Sequence, residues 1–261
     1  AGEYDIYANV TRDGGTTWLA RPLRLSASVP IGTNSSHHPA LCSPGDGSFW
    51  AAWVYDNQVM VRLSSDGGAT WGTTWTVNTL TAPAVADLED EGSVIDLSCL
   101  AGKAQVAWRT PTEIWVNATA NSGTTWRGMA RFDLDSNADG DPSLAVEPGG
   151  HLYLTYANAA ALSGDIDFVV SLDAGATWGV VQRVDHAGAG VGSTDSRVAG
   201  SSTGKVVVAW RDARGGAMDV WTATSGSFGA VGSWTATDTR LDTGGTAAEA
   251  GAPEVRSCGD S

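Results

Sequence analysis

An all-β fold made of repeated four-stranded antiparallel units follows from three features of this 261-residue chain. The first is a recurring octapeptide. Thr11–Trp18 reads T-R-D-G-G-T-T-W, Ser64–Trp71 reads S-S-D-G-G-A-T-W and Ser171–Trp178 reads S-L-D-A-G-A-T-W. Thr119–Trp126, T-A-N-S-G-T-T-W, is a weaker copy, and an eroded one spans Thr224–Trp234. The second feature is their spacing, a period of roughly 50 residues, which marks an array of one supersecondary unit. The third is a set of short β-rich stretches at fixed offsets around each copy. Four antiparallel strands at this period form the pattern of a β-propeller, in which no unit buries its faces alone.

Each unit opens with a short first strand: Pro39–Cys42, Ile95–Cys99, Pro142–Val146 and Arg197–Gly200. The second strand ends in an aromatic residue: F-W-A-A-W at Phe49–Trp53, A-Q-V-A-W at Ala104–Trp108, H-L-Y-L-T-Y at His151–Tyr156 and V-V-V-A-W at Val206–Trp210. The third is alternating or β-rich, over Asp5–Val10, Gln58–Leu63, Glu113–Ala118, Asp165–Val170 and Asp219–Thr224. The octapeptide follows. Its Asp caps the turn through the carboxylate, and its Gly residues supply positive φ. Its Trp packs the turn onto the unit. A fourth strand comes next, as at Thr73–Val77.

Four complete units span about 36–80, 93–130, 140–186 and 194–241. The chain begins in a third strand, and A-P-E-V-R-S-C at Ala252–Cys258 reads as a first strand. The expectation is one domain over residues 1–261, with five blades and a terminal blade shared by the two ends and lacking its second strand. A six-bladed ring and a ring completed by a second chain are the alternatives. Open sheet edges at both ends call for a cover.

Composition narrows the partners. A net charge of −14 argues against nucleic acid and anionic membrane surfaces. No apolar run reaches the ~18–20 residues of a membrane span. Cys42 and Cys99 close the first strands of neighbouring units, and Cys258 falls near the same place. They read as small buried packing residues, with a disulfide between neighbouring units plus a free thiol as the alternative.

The octapeptide resembles the Asp box, or BNR repeat, of sialidase-like propellers. V-V-V-A-W-R-D-A-R at Val206–Arg214, followed by D-V-W-T-A at Asp219–Ala223, is similar to bacterial secreted sialidase-like proteins. The resemblance covers nearly the whole chain and implies a secreted propeller. It also implies that Asp13, Asp66 and Asp173 are structural, since Asp boxes lie on the outer rim. A sialidase of that family uses three arginines on the substrate carboxylate, a tyrosine nucleophile activated by a glutamate, and an aspartate acid. An Arg-Ile-Pro motif opens such chains. Here the nearest string is Arg21-Pro22-Leu23, after the box, and it does not match.

Three sets of residues are candidates for chemistry. D-L-D-S-N-A-D-G-D at Asp133–Asp141 has oxygen ligands at alternate positions, the spacing of a calcium loop. Its ligands would be Asp133, Asp135, Asn137, Asp139 and Asp141, although Val146 stands at the twelfth position, where such loops carry Glu. The second set opens the innermost strands: His38, Asp141 and Asp195, with Asp96 one step later and Pro253 in the closing copy. These would ring the mouth of the central channel and hold a cation or polar ligand. The third set is Arg109, Arg197, Arg211 and Arg256, on first strands or at the ends of second strands. No tyrosine stands out as a nucleophile; Tyr7, Tyr55, Tyr153 and Tyr156 read as strand packing. The expected function is therefore binding of a carbohydrate or another extracellular ligand. An exo-α-sialidase and a structural or protein-interaction propeller are the alternatives.

Overall fold

The structure, a computed structural model, describes residues 4–27, 35–78, 94–132, 140–158, 164–188, 191–242 and 250–257. Among these residues every regular element is a strand. β1 (Tyr7–Ala8) pairs with β2 (Leu23–Arg24). Four four-stranded antiparallel meanders follow. The first is β3 (Ser36–Cys42), β4 (Phe49–Tyr55), β5 (Gln58–Ser64) and β6 (Trp75–Thr76). The second is β7 (Ile95–Leu100), β8 (Lys103–Arg109), β9 (Ile114–Thr119) and β10 (Ala130–Phe132). The third is β11 (Ser143–Val146), β12 (Leu152–Asn158), β13 (Asp165–Ser171) and β14 (Gln182–Arg183). The fourth is β15 (Ser193–Gly200), β16 (Val206–Asp212), β17 (Asp219–Ser225) and β18 (Thr239–Arg240).

The sheets are the blades of a β-propeller. β3, β7, β11 and β15 stand in succession around a central channel of about 310 Å³. Leu41, Cys99, Leu144, Val198 and Val255 line it, so five chain segments share its wall. Residues 250–257 take the fifth place but form no strand there. A first strand is held by its second strand, and the fifth blade has none among the described residues. The same absence shortens β1 to two residues where Asp5–Val10 was expected. It also leaves Tyr7 exposed rather than packed. Arg62 ties the partial blade to the first complete one, donating from Nη1 to Leu25 O at 2.8 Å and from Nη2 to Trp71 O at 3.1 Å.

The core lies in the seams between blades. In each packed seam the octapeptide Trp of one blade meets an apolar residue on the outer strand of the preceding blade. Trp71 shares a cluster with Leu25, Trp126 with Val77 and Trp234 with Val184. Trp178 sits edge-on to Phe132 at 5.0 Å. The aromatic of each second strand fills the middle: Trp53, Trp108, Tyr156 and Trp210 are all fully buried. Burial of one such side chain stabilises the fold by about 1.5–3 kcal/mol. Repeated around the ring, that burial is what holds the blades together.

The octapeptide turns share one hydrogen-bond scheme. Ser64 Oγ donates to Asp66 Oδ1 at 2.8 Å, Thr70 N–H to the same oxygen at 2.9 Å and Thr70 Oγ1 to Oδ2 at 2.6 Å. Gly68 N–H returns to Ser64 Oγ at 2.9 Å. The copies at Asp13 and Asp173 repeat this. Asn121 keeps the scheme without charge, its Oδ1 accepting from Thr125 N–H and its Nδ2 donating to Thr125 Oγ1. In the eroded copy Ser225 Oγ still accepts from Gly229 N–H at 3.1 Å. The second Gly of the turn is required by space as well as by φ. Gly123 has φ of 80°, and a Cβ there would stand 2.7 Å from the Trp75 ring of the preceding blade.

Cys42 and Cys99 are disulfide-bonded, with Cα atoms 6.1 Å apart. The packing-residue expectation is therefore corrected for this pair. Equivalent ends of adjacent innermost strands come within bridging reach around the channel. Cys258 lies outside the described residues.

Hydrogen bonds from the threonine hydroxyls, first of all, hold the Asp13, Asp66 and Asp173 carboxyls down at about 2. Their folded-state pKa lies below the usual 3.8, so their contribution is complete above that value. It is lost as pH falls from there toward 2. Acid unfolding should therefore begin in that window, and Asp66→Ala should lower Tm by a few degrees at neutral pH while flattening that limb. Thermal melts against pH check this; an unchanged acid limb in Asp66→Ala would contradict the cap. Replacing both Cys42 and Cys99 by Ala frees a link across 57 residues. The expected cost is about 2–4 kcal/mol, read from denaturant midpoints. An unaltered midpoint would show that the bridge contributes nothing.

Candidate functional site

The strand directions give the ring two different ends. First and third strands run the same way, so the Cys42–Cys99 bridge and the octapeptide turns lie at one end. The starts of the first strands and the ends of the second strands lie at the other. The structure places His38, Asp96, Asp141, Asp195, Arg109 and Arg211 there, as the repeat alignment predicts.

Two of these residues are re-aimed by the backbone. The β3–β4 register shifts between His37 and Ala40, and the β15–β16 register shifts between Thr194 and Arg197. At the two bulges His38 and Asp195 have φ of 53° and 54°. Left-handed non-glycine residues cost on the order of 1 kcal/mol, and bulges beside functional sites serve to redirect a side chain. Arg211 offsets the strain at Asp195. Its Nε and Nη2 both bond Asp195 Oδ2, the former at 2.8 Å, and its Nη1 donates to Ala250 O at 2.9 Å. The His38 ring meets that of His37 edge-on at 4.7 Å.

Every candidate arginine faces a carboxylate. Arg109 Nε lies 2.7 Å from Asp141 Oδ1, joining the second blade to the start of the third. Arg256 Nε lies 2.5 Å from Glu254 Oε1, and Arg197 Nε is 3.8 Å from Glu254 Oε2. Arg197 also donates from Nη1 to Ser196 O at 2.8 Å. Asp96 accepts N–H bonds from Leu144 at 2.7 Å and Leu97 at 2.8 Å, clipping the second blade to the third. Burial in the channel wall pushes its carboxyl above the usual carboxylate range. Those N–H bonds and the charges of Arg197 and Arg256 partly offset the shift.

Of the calcium-loop residues, Asp133, Asp135, Asn137 and Asp139 lie outside the described residues. Asp141 is described, and its carboxylate holds Arg109. Among the described residues no group of three or more His, Cys, Asp or Glu side chains is arranged to hold a metal ion. Tyr153 and Tyr156 are fully buried, as expected of packing residues, and burial pushes the Tyr153 hydroxyl pKa up.

Sequence reasoning missed Glu254. It stands two residues before Arg256, within reach of it, so the signal was present. It also missed the cluster at the outer edge of this end. Asp238, almost wholly buried, accepts from Arg214 Nη1 at 2.6 Å and pairs with His186 Nδ1 at 2.8 Å. Arg214 lies 4.2 Å over the Trp221 ring. These contacts join the third blade to the fourth.

No protein-family model matches the chain, and no curated protein matches it. Solved structures do. An α-L-arabinanase of Penicillium chrysogenum complexed with arabinobiose aligns at 16% identity and a TM-score of 0.56, over 79% of this chain and 66% of that one. A Dyadobacter fermentans protein of unknown function aligns at 16% identity and 0.57, over 88% and 70%. An α-L-arabinofuranosidase of Fusarium graminearum in complex with arabinobiose aligns at 16% and 0.57, over 79% and 66%. The match therefore spans just under two thirds of the arabinanase and the arabinofuranosidase. At this identity the likeness establishes the β-propeller fold.

Proposed function

We propose that this chain is a secreted carbohydrate-binding propeller whose channel mouth takes a neutral glycan. The pairing of the arginines carries this reading. Capture of a sugar carboxylate needs guanidinium groups free for bidentate bonding. Here Arg109, Arg211, Arg197 and Arg256 each face Asp141, Asp195 or Glu254. The accessible pairs, Arg211 with Asp195 and Arg256 with Glu254, set N–H donors and carboxylate acceptors side by side, the mixture that sugar hydroxyls use. The net charge of −14 repels anions and leaves neutral sugars unaffected. The arabinobiose in the Penicillium and Fusarium structures is a neutral sugar, which supports the same class of ligand. The sialidase-like character of the octapeptides belongs, on this reading, to the scaffold. Secretion is supported by the Cys42–Cys99 bridge, because disulfides persist in oxidising compartments.

Titration calorimetry with arabinobiose and with sialyllactose tests the reading. Binding of the neutral sugar, lost in Arg211→Ala, is expected, with no response to the sialoside. Turnover of a fluorogenic sialoside that disappears in Arg197→Ala or Arg256→Ala would replace it with the exo-sialidase alternative.

Calcium at the 133–141 segment is retained as part of this proposal, with Asp141 removed from the ligand set by its bond to Arg109. An ion that binds only the folded chain raises its melting temperature. Melts in EDTA and then in excess calcium should differ; superimposable curves would remove the ion.

A further inference from the structure

Each innermost strand is the edge of its sheet, so its outward N–H groups need acceptors from elsewhere. Ala40, Asp96, Ser143 and Arg197 hold the same place in the four complete blades, each opposite the residue before the aromatic that ends the second strand. Leu97, Leu144 and Val198, one residue later, are likewise equivalent. At two of these places the side chain reaches forward to the next blade. Asp96 Oδ2 accepts the N–H of Leu144 at 2.7 Å, and Ser143 Oγ accepts the N–H of Val198 at 3.3 Å.

The seam between the first and second blades differs. Ala40 has no acceptor to offer. The N–H of Leu97, which it would have to serve, goes instead to the second oxygen of Asp96, Oδ1, at 2.8 Å. Where the other seams have a side-chain acceptor, this one has the Cys42–Cys99 bridge. On its other side β3 has a ladder with β4 that is interrupted between His37 and Ala40, at the bulge that carries His38. Both half-cystines line the channel, and Cys42 is the more exposed of the two. Exchange with a thiol requires that a thiolate reach one of the sulfurs, and the channel supplies the path.

We infer that the Cys42–Cys99 bridge is a redox latch, reached through the channel by small thiols, whose opening releases β3 from the second blade as far as His38 at the mouth. A small dithiol is the co-reactant. One of its thiolates bonds to Cys42 Sγ, the bond between the two Sγ atoms breaks, and Cys99 leaves as a thiolate. The second thiolate of the reagent displaces Cys42, and the reagent departs as its own disulfide. Its two protons end on Cys42 and Cys99. The apolar cluster of Trp50, Val61 and Val106 belongs to the same seam and keeps the two blades packed while the latch is open. The inference is independent of the glycan reading, because its readouts are thiols and amide exchange.

The test treats the oxidised protein with dithiothreitol in the absence of denaturant. Alkylation and peptide mapping should find Cys42 and Cys99 reduced while the protein stays folded. Amide exchange should then quicken at least about tenfold over β3 and at Leu97, and stay unchanged in β11 and β15. Cys42→Ala combined with Cys99→Ala should reproduce this without reagent. Ala40→Ser added to that pair should slow exchange at Leu97 again, by supplying the acceptor that Ser143 supplies to Val198. A bridge that dithiothreitol opens only as fast as the whole protein unfolds overturns the inference. So does unaltered exchange in β3 after reduction, or an equal acceleration in β11 and β15. A double variant that fails to fold also overturns it, by making the bridge a condition of the fold. An Ala40→Ser change that leaves exchange at Leu97 as it was does the same, by removing the missing acceptor as the cause.

Discussion

The structure depends on one contact repeated around the ring. A tryptophan at the end of an Asp-capped turn packs onto the outer strand of the blade before it. The two-residue outer strands have short ladders of their own. β6, β14 and β18 are each that short, and β6 and β14 are kept in place from the side by the tryptophan of the next blade, a contact that β18 lacks. The turn fixes the tryptophan, the glycine lets the turn approach, and the approach buries the strand. Remove the preceding blade and the contact has nothing to close on, which is the condition of Trp18.

The scaffold in turn sets the chemistry of the mouth. Because first strands begin and second strands end at one end of the channel, carboxylates from the former meet arginines from the latter. Arg211 and Asp195 pair within a blade, and Arg109 and Asp141 pair across a seam. Both arrangements neutralise charge. The disulfide stands toward the opposite end, where Cys42 and Cys99 line the channel.

Much of this was legible in the residues. The period of the octapeptides gave the blades, and their observed limits agree closely with the sequence reading because strand periodicity and turn chemistry coincide there. The mouth residues followed from aligning the repeats. What could not be read was pairing. Nothing local in Arg109 names Asp141, since the two meet only after neighbouring blades pack. The bulges at His38 and Asp195 were also hidden, because a register shift depends on the partner strand. The Cys42–Cys99 bridge was within reach, but small buried residues at repeat positions were an equally sound account. The exposure of Tyr7 reversed the strand packing expected of it, for want of a partner among the described residues rather than of pattern.

The central claim is that stability resides in the seams and that, among the described residues, one seam is incomplete. Native-state hydrogen exchange, resolved by residue, measures this directly, since protection reports how well each element is held. The account predicts the slowest exchange in β4, β8, β12 and β16, and fast exchange at Tyr7 and Asn9. Protection at Tyr7 and Asn9 equal to that of β5 and β13 in the isolated chain would contradict it.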